Sequence, residues 1–248
     1  MLNIIGEYSL ISWALLGCAA FLVGISKTML PGVNLISVII FASLMPAKIS
    51  TGALLILLII GDISALVAYR KHAHWKTLLT LVPAVLCGLV VGAAYLFVSN
   101  DQVIRRSIGW ILLALMVLTL LQRQSRHSAQ NTSQKFAWFY GGLGGFTTMV
   151  ANAGGPVMNM YFLARRFNVQ LFLGTTAWFF AVMNMLKLPF SVSLGLVNPH
   201  TLTLGLVLLP LLLLGSFIGW FYARRIPQKV FERLVIVVTW VGALYLVF

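Results

Sequence analysis

Three ionisable residues stand inside apolar stretches of this chain: Lys27, Asp62 and Lys187. A charge at membrane depth costs roughly 3 kcal/mol even on the most forgiving insertion scale, so each is expected to meet a partner, a cavity or a transported ion. Lys27 sits between Ser26 and Thr28, a few residues before Gly32 and Asn34. A cation in that hydroxyl and amide company suits attraction of a small anion, and snorkelling to an interface suits the same residue. Asp62 fits three roles: pairing with a lysine, a polar packing pair, or titration, which would make it a coupling residue for H+ or Na+. Lys187, in Asn184-Met185-Leu186-Lys187-Leu188-Pro189, lies beside a proline expected to interrupt its helix.

Two broken apolar stretches carry the remaining candidates. The first runs Gly24-Ile25-Ser26-Lys27-Thr28-Met29-Leu30-Pro31-Gly32-Val33-Asn34, and the second runs from Gly141 through Asn152-Ala153-Gly154-Gly155-Pro156. Pro31 and Pro156 stand where a new helix could begin, since proline's missing N–H costs nothing there. A helix starting at membrane depth turns free N–H groups and a positive dipole end toward the interior, which is an anion-binding device. Glycines beside it let the backbone approach a ligand. Gly141-x-x-x-Gly145 serves helix packing equally well. Thr175, in Gly174-Thr175-Thr176, opens a later span and offers a hydroxyl, although threonine in a membrane helix often bonds its own chain instead.

The elements that must position these residues are membrane helices. The 248 residues are 60% hydrophobic and 8% charged, with mean hydropathy +0.99. A soluble chain carries about 25% charged residues. Continuous apolar runs at 50–69, 77–98, 104–121, 200–223 and 230–248 approach or exceed the ~18–20 residues that cross a bilayer as helix. They do not alternate with period two, which argues against a barrel. The net charge of +13 comes from basic residues gathered between apolar runs, so a nucleic-acid partner is not expected. The few acids form no carboxylate pair, and no Ser-His-Asp or Cys-His arrangement appears, so neither catalysis nor a cofactor is expected. His72 and His74 lack a third metal ligand nearby. Cys18 and Cys87 read as small buried hydrophobes.

Punctuation recurs at a constant offset of 127 residues: Pro83, Gly88, Gly92, Val103 and Arg106 return as Pro210, Gly215, Gly219, Val230 and Arg233. Gly88, Gly92 and their copies have no polar neighbours and read as packing. Twelve Lys and Arg lie in the connectors 70–76, 123–135, 165–166 and 224–233, against three in the opposing connectors, which puts the first group in the cytoplasm. The expected fold is therefore all-α and integral to the inner (plasma) membrane. Residues 1–121 form a first repeat, 122–135 a cytoplasmic linker and 136–248 a second repeat. Each repeat is a broken, re-entrant or fully spanning, helical hairpin plus three transmembrane helices. Three is odd, so the second copy is inverted and both termini are extracytoplasmic. Interrupted helices in matching positions of a duplicated unit point to a secondary transporter working by alternating access. An integral-membrane enzyme acting on a lipid or isoprenoid is the competing class.

Over about Gly17 to Phe248 the chain resembles the sulfite exporter TauE/SafE family, also called the toluene-sulfonate uptake permeases. The resemblance rests on the two Gly/Pro breaks and on Gly174-Thr175-Thr176 with Asn184 beyond. It rests also on His74-Trp75-Lys76 ahead of the first Pro-x4-Gly-x3-Gly copy, and on Arg225-Ile226-Pro227 after the second. It implies a membrane transporter of sulfite, an organosulfonate or a related organic acid. The first break departs from that family's usual glycine cluster, and its bulk and charge favour a larger or carboxylated anion. Expected substrate contacts are Ser26, Lys27, Thr28, Gly32, Asn34, Asn152, Gly154, Gly155, Thr175, Asn184 and Lys187, with Asp62 as coupling residue. The partners expected are a small anion, the bilayer, H+ or Na+, and a second copy in a homodimer. Cysteines introduced at Ser128 and just after Phe248, with Cys18 and Cys87 replaced, should react with an impermeant thiol reagent from opposite membrane faces. Labelling from one face would end the inverted-repeat topology.

Overall fold

A computed structural model of the chain describes residues 8–29, 33–124, 134–165, 167, 169–222, 244–245 and 247–248. Among these residues the fold is entirely helical. A long helix α1 (Leu10–Thr28) and a short α2 (Asn34–Leu44) form a first hairpin, followed by α3 (Ala47–Tyr69), α4 (Trp75–Val98) and α5 (Asp101–Gln124). A second long–short pair, α6 (Gln134–Ala151) and α7 (Gly154–Ala164), leads into α8 (Val169–Ser193) and α9 (Pro199–Tyr222). Helices α1, α3, α4, α9 and nearly all of α8 are long and apolar enough to cross a membrane. The short limbs, at 11 residues each, reach only ~16 Å at 1.5 Å rise, about half a hydrocarbon core. Most of the predicted last span, 230–248, lies outside the described residues, as do Gly32 and residues 125–133 of the predicted linker.

The structure moves the boundaries of both breaks. Helix α1 continues through Gly24, Ser26 and Lys27 to Thr28, and α6 continues through Gly141–Gly145 to Ala151. Asn152 ends α6 in the left-handed region, at φ +52°, a conformation asparagine tolerates better than most side chains. Its N–H bonds the Thr148 carbonyl at 3.0 Å. Pro189 lies within α8 without breaking it. Cys18 and Cys87 are exposed, not buried; small thiols on a lipid-facing surface carry little desolvation cost.

Gly24 and Gly145, which seemed to mark breaks, join the expected packing glycines Gly88 and Gly215 in seams between helices. Helix α4 packs most extensively on α6, and α1 on α9. A Cβ at Gly88 would run into the Gly142 carbonyl, and one at Gly145 into that of Val85. In the other seam, a Cβ at Gly215 would strike the Phe21 carbonyl, and one at Gly24 that of Leu212. Phe21, Ile25 and Thr28 are to Gly215 and Gly219 what Gly142, Phe146 and Met149 are to Gly88 and Gly92. Residue numbers rise together along both seams, so the partners run parallel.

Helices α3 and α8 run the other way. Gly52 abuts the Leu196 carbonyl, Asp62 meets Asn184, and Gly174 abuts the His72 carbonyl, so numbers fall along one helix as they rise along the other. The connector after α3 is held by α8: the Thr175 hydroxyl accepts from the His74 N–H at 3.0 Å, and the Trp178 indole donates to the Arg70 carbonyl at 3.1 Å. Because the seam contacts are with backbone, a methyl group cannot be absorbed by a side-chain shift. Gly88→Ala or Gly215→Ala should therefore destabilise the protein by about 1–3 kcal/mol. Gly142→Ala, whose Cβ would sit 3.7 Å from the Ala84 carbonyl, should be tolerated. Thermal melting of the detergent-solubilised protein, read by aggregation or elution profile, distinguishes the two classes.

Candidate functional site

The two breaks and the α3–α8 crossing meet around one cavity of about 50 Å³, counted as the space open to the centre of a water molecule. That is room for a few waters or a small ion. Both halves of the chain line it: Ser26 and Lys27 of α1, Asn34 of α2, Asp62 and Tyr69 of α3, Thr148 of α6, Asn152 and Gly155 of the second break, and Thr176, Phe180 and Asn184 of α8. The apolar part of the wall includes Leu58, Leu173 and Ala177.

Asp62 is the electrostatic centre of the wall. It is 2% exposed, and its two oxygens are divided between two helices. Oδ1 receives the Lys27 ammonium at 2.5 Å, and Oδ2 receives the Asn184 amide nitrogen at 2.6 Å. Burial leaves the carboxylate little solvation, so the ion pair and the amide must replace it. Lys27 also lies 5.0 Å from the centre of the Phe180 ring, in the range of a cation–π contact. Lys27 is thus paired with Asp62 while still lining the cavity. Asp62 has the lysine partner that was one of its expected roles, together with an amide partner on α8.

The second break is organised by Asn152. Its side-chain nitrogen donates to the Thr51 carbonyl at 3.0 Å, and its own carbonyl accepts from the Asn34 amide at 3.2 Å. Its Oδ1 accepts from the Lys187 ammonium at 2.5 Å. One residue therefore joins α2, α3 and α8 at the end of α6. Lys187 is fully buried and donates also to the Thr148 carbonyl at 2.6 Å, so it sits at the C-terminal, negative end of the α6 dipole. Lys27 occupies the last turn of α1. A lysine thus marks the C-terminal end of each long hairpin limb.

Seven of the predicted residues line the cavity together: Ser26, Lys27, Asn34, Asp62, Asn152, Gly155 and Asn184. Lys187 stands behind the wall, holding Thr148 and Asn152. Thr28 packs into the α1–α9 seam, donating to the Gly24 and Ser216 carbonyls, and its own carbonyl accepts from Tyr69 Oη at 2.8 Å. Gly154 packs against Gly144 and Thr148, Thr175 faces the connector after α3, and Gly32 lies outside the described residues. Tyr69 and Phe180 were not anticipated, since an aromatic in an apolar run carries no signal of which way it faces. Thr148 and Thr176 belonged to quoted motifs, yet only packing distinguishes Thr176 from its neighbour Thr175.

Two buried polar atoms of the lining, Thr176 Oγ1 and Asn184 Oδ1, have no protein partner. Such atoms in a polar cavity call for water or a ligand. Helix α2 starts at Asn34 without a side-chain cap, close to the start of α7: Asn34 Oδ1 would lie 3.9 Å from a Cβ on Gly155. Among the described residues there is no cluster of three His, Cys, Asp or Glu side chains able to hold a metal.

A family model described as sulfite exporter TauE/SafE matches residues 16–246. No curated protein and no solved structure matches the chain. Removing one partner of a buried ion pair leaves the other uncompensated, so Lys27→Met alone should cost about 3–5 kcal/mol of stability. Combining it with Asp62→Asn, which keeps an acceptor for Asn184, should recover most of that loss. A double-mutant cycle of melting temperatures in detergent measures the coupling, and additive losses would contradict the pairing.

Proposed function

The chain belongs to the sulfite exporter TauE/SafE family, and on that premise we propose that it is a secondary-active transporter of a small anion. The family is one of membrane transporters for sulfite-type anions, and this chain has the multi-pass apolar helices that such transport requires. The observation that carries the finer reading is the polar cavity between two interrupted hairpins, with walls from both halves of the chain. In this proposal residues 1–121 and 136–248 are inverted repeats joined by the linker 122–135. The antiparallel register of α3 against α8 and the paired parallel seams support it, because an inverted duplication sets equivalent helices antiparallel across its axis. The hairpins are re-entrant: the half-length limbs α2 and α7 support that choice over full crossing. The protein lies in the inner membrane, with both termini extracytoplasmic and the basic connectors cytoplasmic.

The anion is a sulfite, a sulfonate or a related organic acid, held between the starts of α2 and α7 and the Lys27 ammonium. Free N–H groups at the two helix starts, spare N–H bonds on Lys27 and Asn34, and the Thr176 hydroxyl supply donors on several sides. Alternating access follows if one repeat rocks against the other around this fixed site.

Gly155 tests the site without disturbing a seam, since its Cβ position is open apart from Asn34. Gly155→Ala should fold and bind normally. Gly155→Val should reach the membrane and fold, yet lose at least about tenfold in anion affinity, or 1.4 kcal/mol, by filling the approach. Binding of sulfite and of simple sulfonates to the purified variants measures this, and wild-type affinity in Gly155→Val would remove the site from the cavity.

A further inference from the structure

The Lys27–Asp62 pair does more than stabilise the wall, given where it stands. Resting on the anion-transport reading above, we propose that each anion bound in the cavity displaces Asp62 from Lys27 and that Asp62 takes up one proton, so that the anion and H+ occupy the protein together.

In the empty site the Lys27 ammonium and the Asp62 carboxylate cancel at 2.5 Å. An anion that reaches Lys27 would put two negative groups on one ammonium, in a place where Asp62 is almost entirely shielded from water. Like charges sharing a buried site cannot both remain ionised, and the group able to bind a proton does so. A sulfonate, or sulfite in its singly charged hydrogen form, is too weak a base for that, which leaves Asp62. The balance is simple: Asp62–COO⁻ and H+ become Asp62–COOH, no other bond changes, and Lys27 exchanges one anionic partner for another. Empty and loaded sites then carry the same net charge, so neither form takes an uncompensated charge through the bilayer.

The other titratable groups do not offer this exchange. Lys187 on α8 is held by the Thr148 carbonyl and Asn152 Oδ1. Tyr69, on the same helix as Asp62, donates to the Thr28 carbonyl. Helix α2 has no titratable side chain. On α5, Asp101 meets α3 at its first turn, where it accepts from the Lys48 N–H, and Arg105 lies over the Tyr245 ring. On the remaining neighbours, His200 and Tyr222 lie at the ends of α9, and Lys135 and Tyr140 lie in the first half of α6.

Asn184 supplies the second, independent observation. Its amide nitrogen serves Asp62 as an ionised acceptor, while its Oδ1 is buried without a partner. A protonated Asp62 needs the opposite, an acceptor for its O–H. Turning the Asn184 amide over provides that acceptor and brings Nδ2 to the position Oδ1 held. The two amide orientations thus match the two protonation states of Asp62, with Asn184 acting as a positioning residue.

The test uses the full-length protein in detergent and methanesulfonate, whose single charge does not change with pH. Titration calorimetry in buffers of different ionisation enthalpy counts protons. About one H+ should be taken up per anion bound, and above the titration of Asp62 the affinity should weaken about tenfold per pH unit. Sodium and choline salts should give equal affinity. Asp62→Asn should bind methanesulfonate with no proton uptake and no pH dependence. If that variant fails to fold, the wild-type proton count still decides. Wild-type binding with no proton exchanged across the neutral range, or affinity that requires Na+, would overturn the coupling and leave the anion site standing. Absence of binding by methanesulfonate, sulfite and taurine alike would overturn the anion site, and the coupling with it.

Discussion

An interrupted helix in an apolar surrounding must satisfy its freed backbone and polar groups from within the protein, because lipid offers no hydrogen bonds. Much of this structure follows from that constraint. Asn152 stops α6 at φ +52° and answers the constraint with contacts to Thr51, Asn34 and Lys187. Lys187 in turn caps the Thr148 carbonyl at the end of the same helix. At the first break the Tyr69 hydroxyl takes the Thr28 carbonyl, and Lys27 is neutralised by Asp62. The groups that make the breaks tolerable are, in large part, the groups that line the cavity. Stability and site chemistry share the same side chains.

Packing divides the work differently. The α1–α9 and α4–α6 seams bring backbone against backbone through small residues, a device suited to helices that gain nothing from burying apolar surface away from water. Polar contact is concentrated instead where α3 crosses α8, at Asp62 and Asn184. Tight seams resist sliding, whereas a centre held by the ion pair of α1 with α3 and by one amide of α8 can exchange partners. The alternating-access proposal relies on that contrast between stiff seams and a chemically responsive centre.

The glycines show how one signal carries two meanings. Gly141, Gly142, Gly144 and Gly145 looked equally suited to a backbone cradle or to packing, and they proved to lie inside a helix, with Gly141 and Gly145 against α4. Gly155, thirteen to fourteen residues beyond the first pair, does line the cavity. Spacing alone cannot separate them, because a missing Cβ permits close approach without naming what approaches. Lys27 illustrates the same gap in electrostatics. Its neighbours in the chain, Ser26 and Thr28, suggested an anion site, and nothing in them names its ion-pair partner, which lies 35 residues away on another helix.

Several properties were settled by the chain's own order of residues. Residence in a membrane follows from hydropathy and the scarcity of charge, and helical spans from the length of the apolar runs. These are local or periodic properties, and hydropathy, helix length and spacing are summed along one dimension. Which charges cancel, which threonine faces the cavity and which glycines close a seam were decided only by tertiary structure. Asp62 and Asn184 are 122 residues apart, and Asn152 reaches Thr51 across 101. Contacts of that kind depend on the rotation and register of packed helices, to which a buried side chain's neighbours along the chain contribute almost nothing.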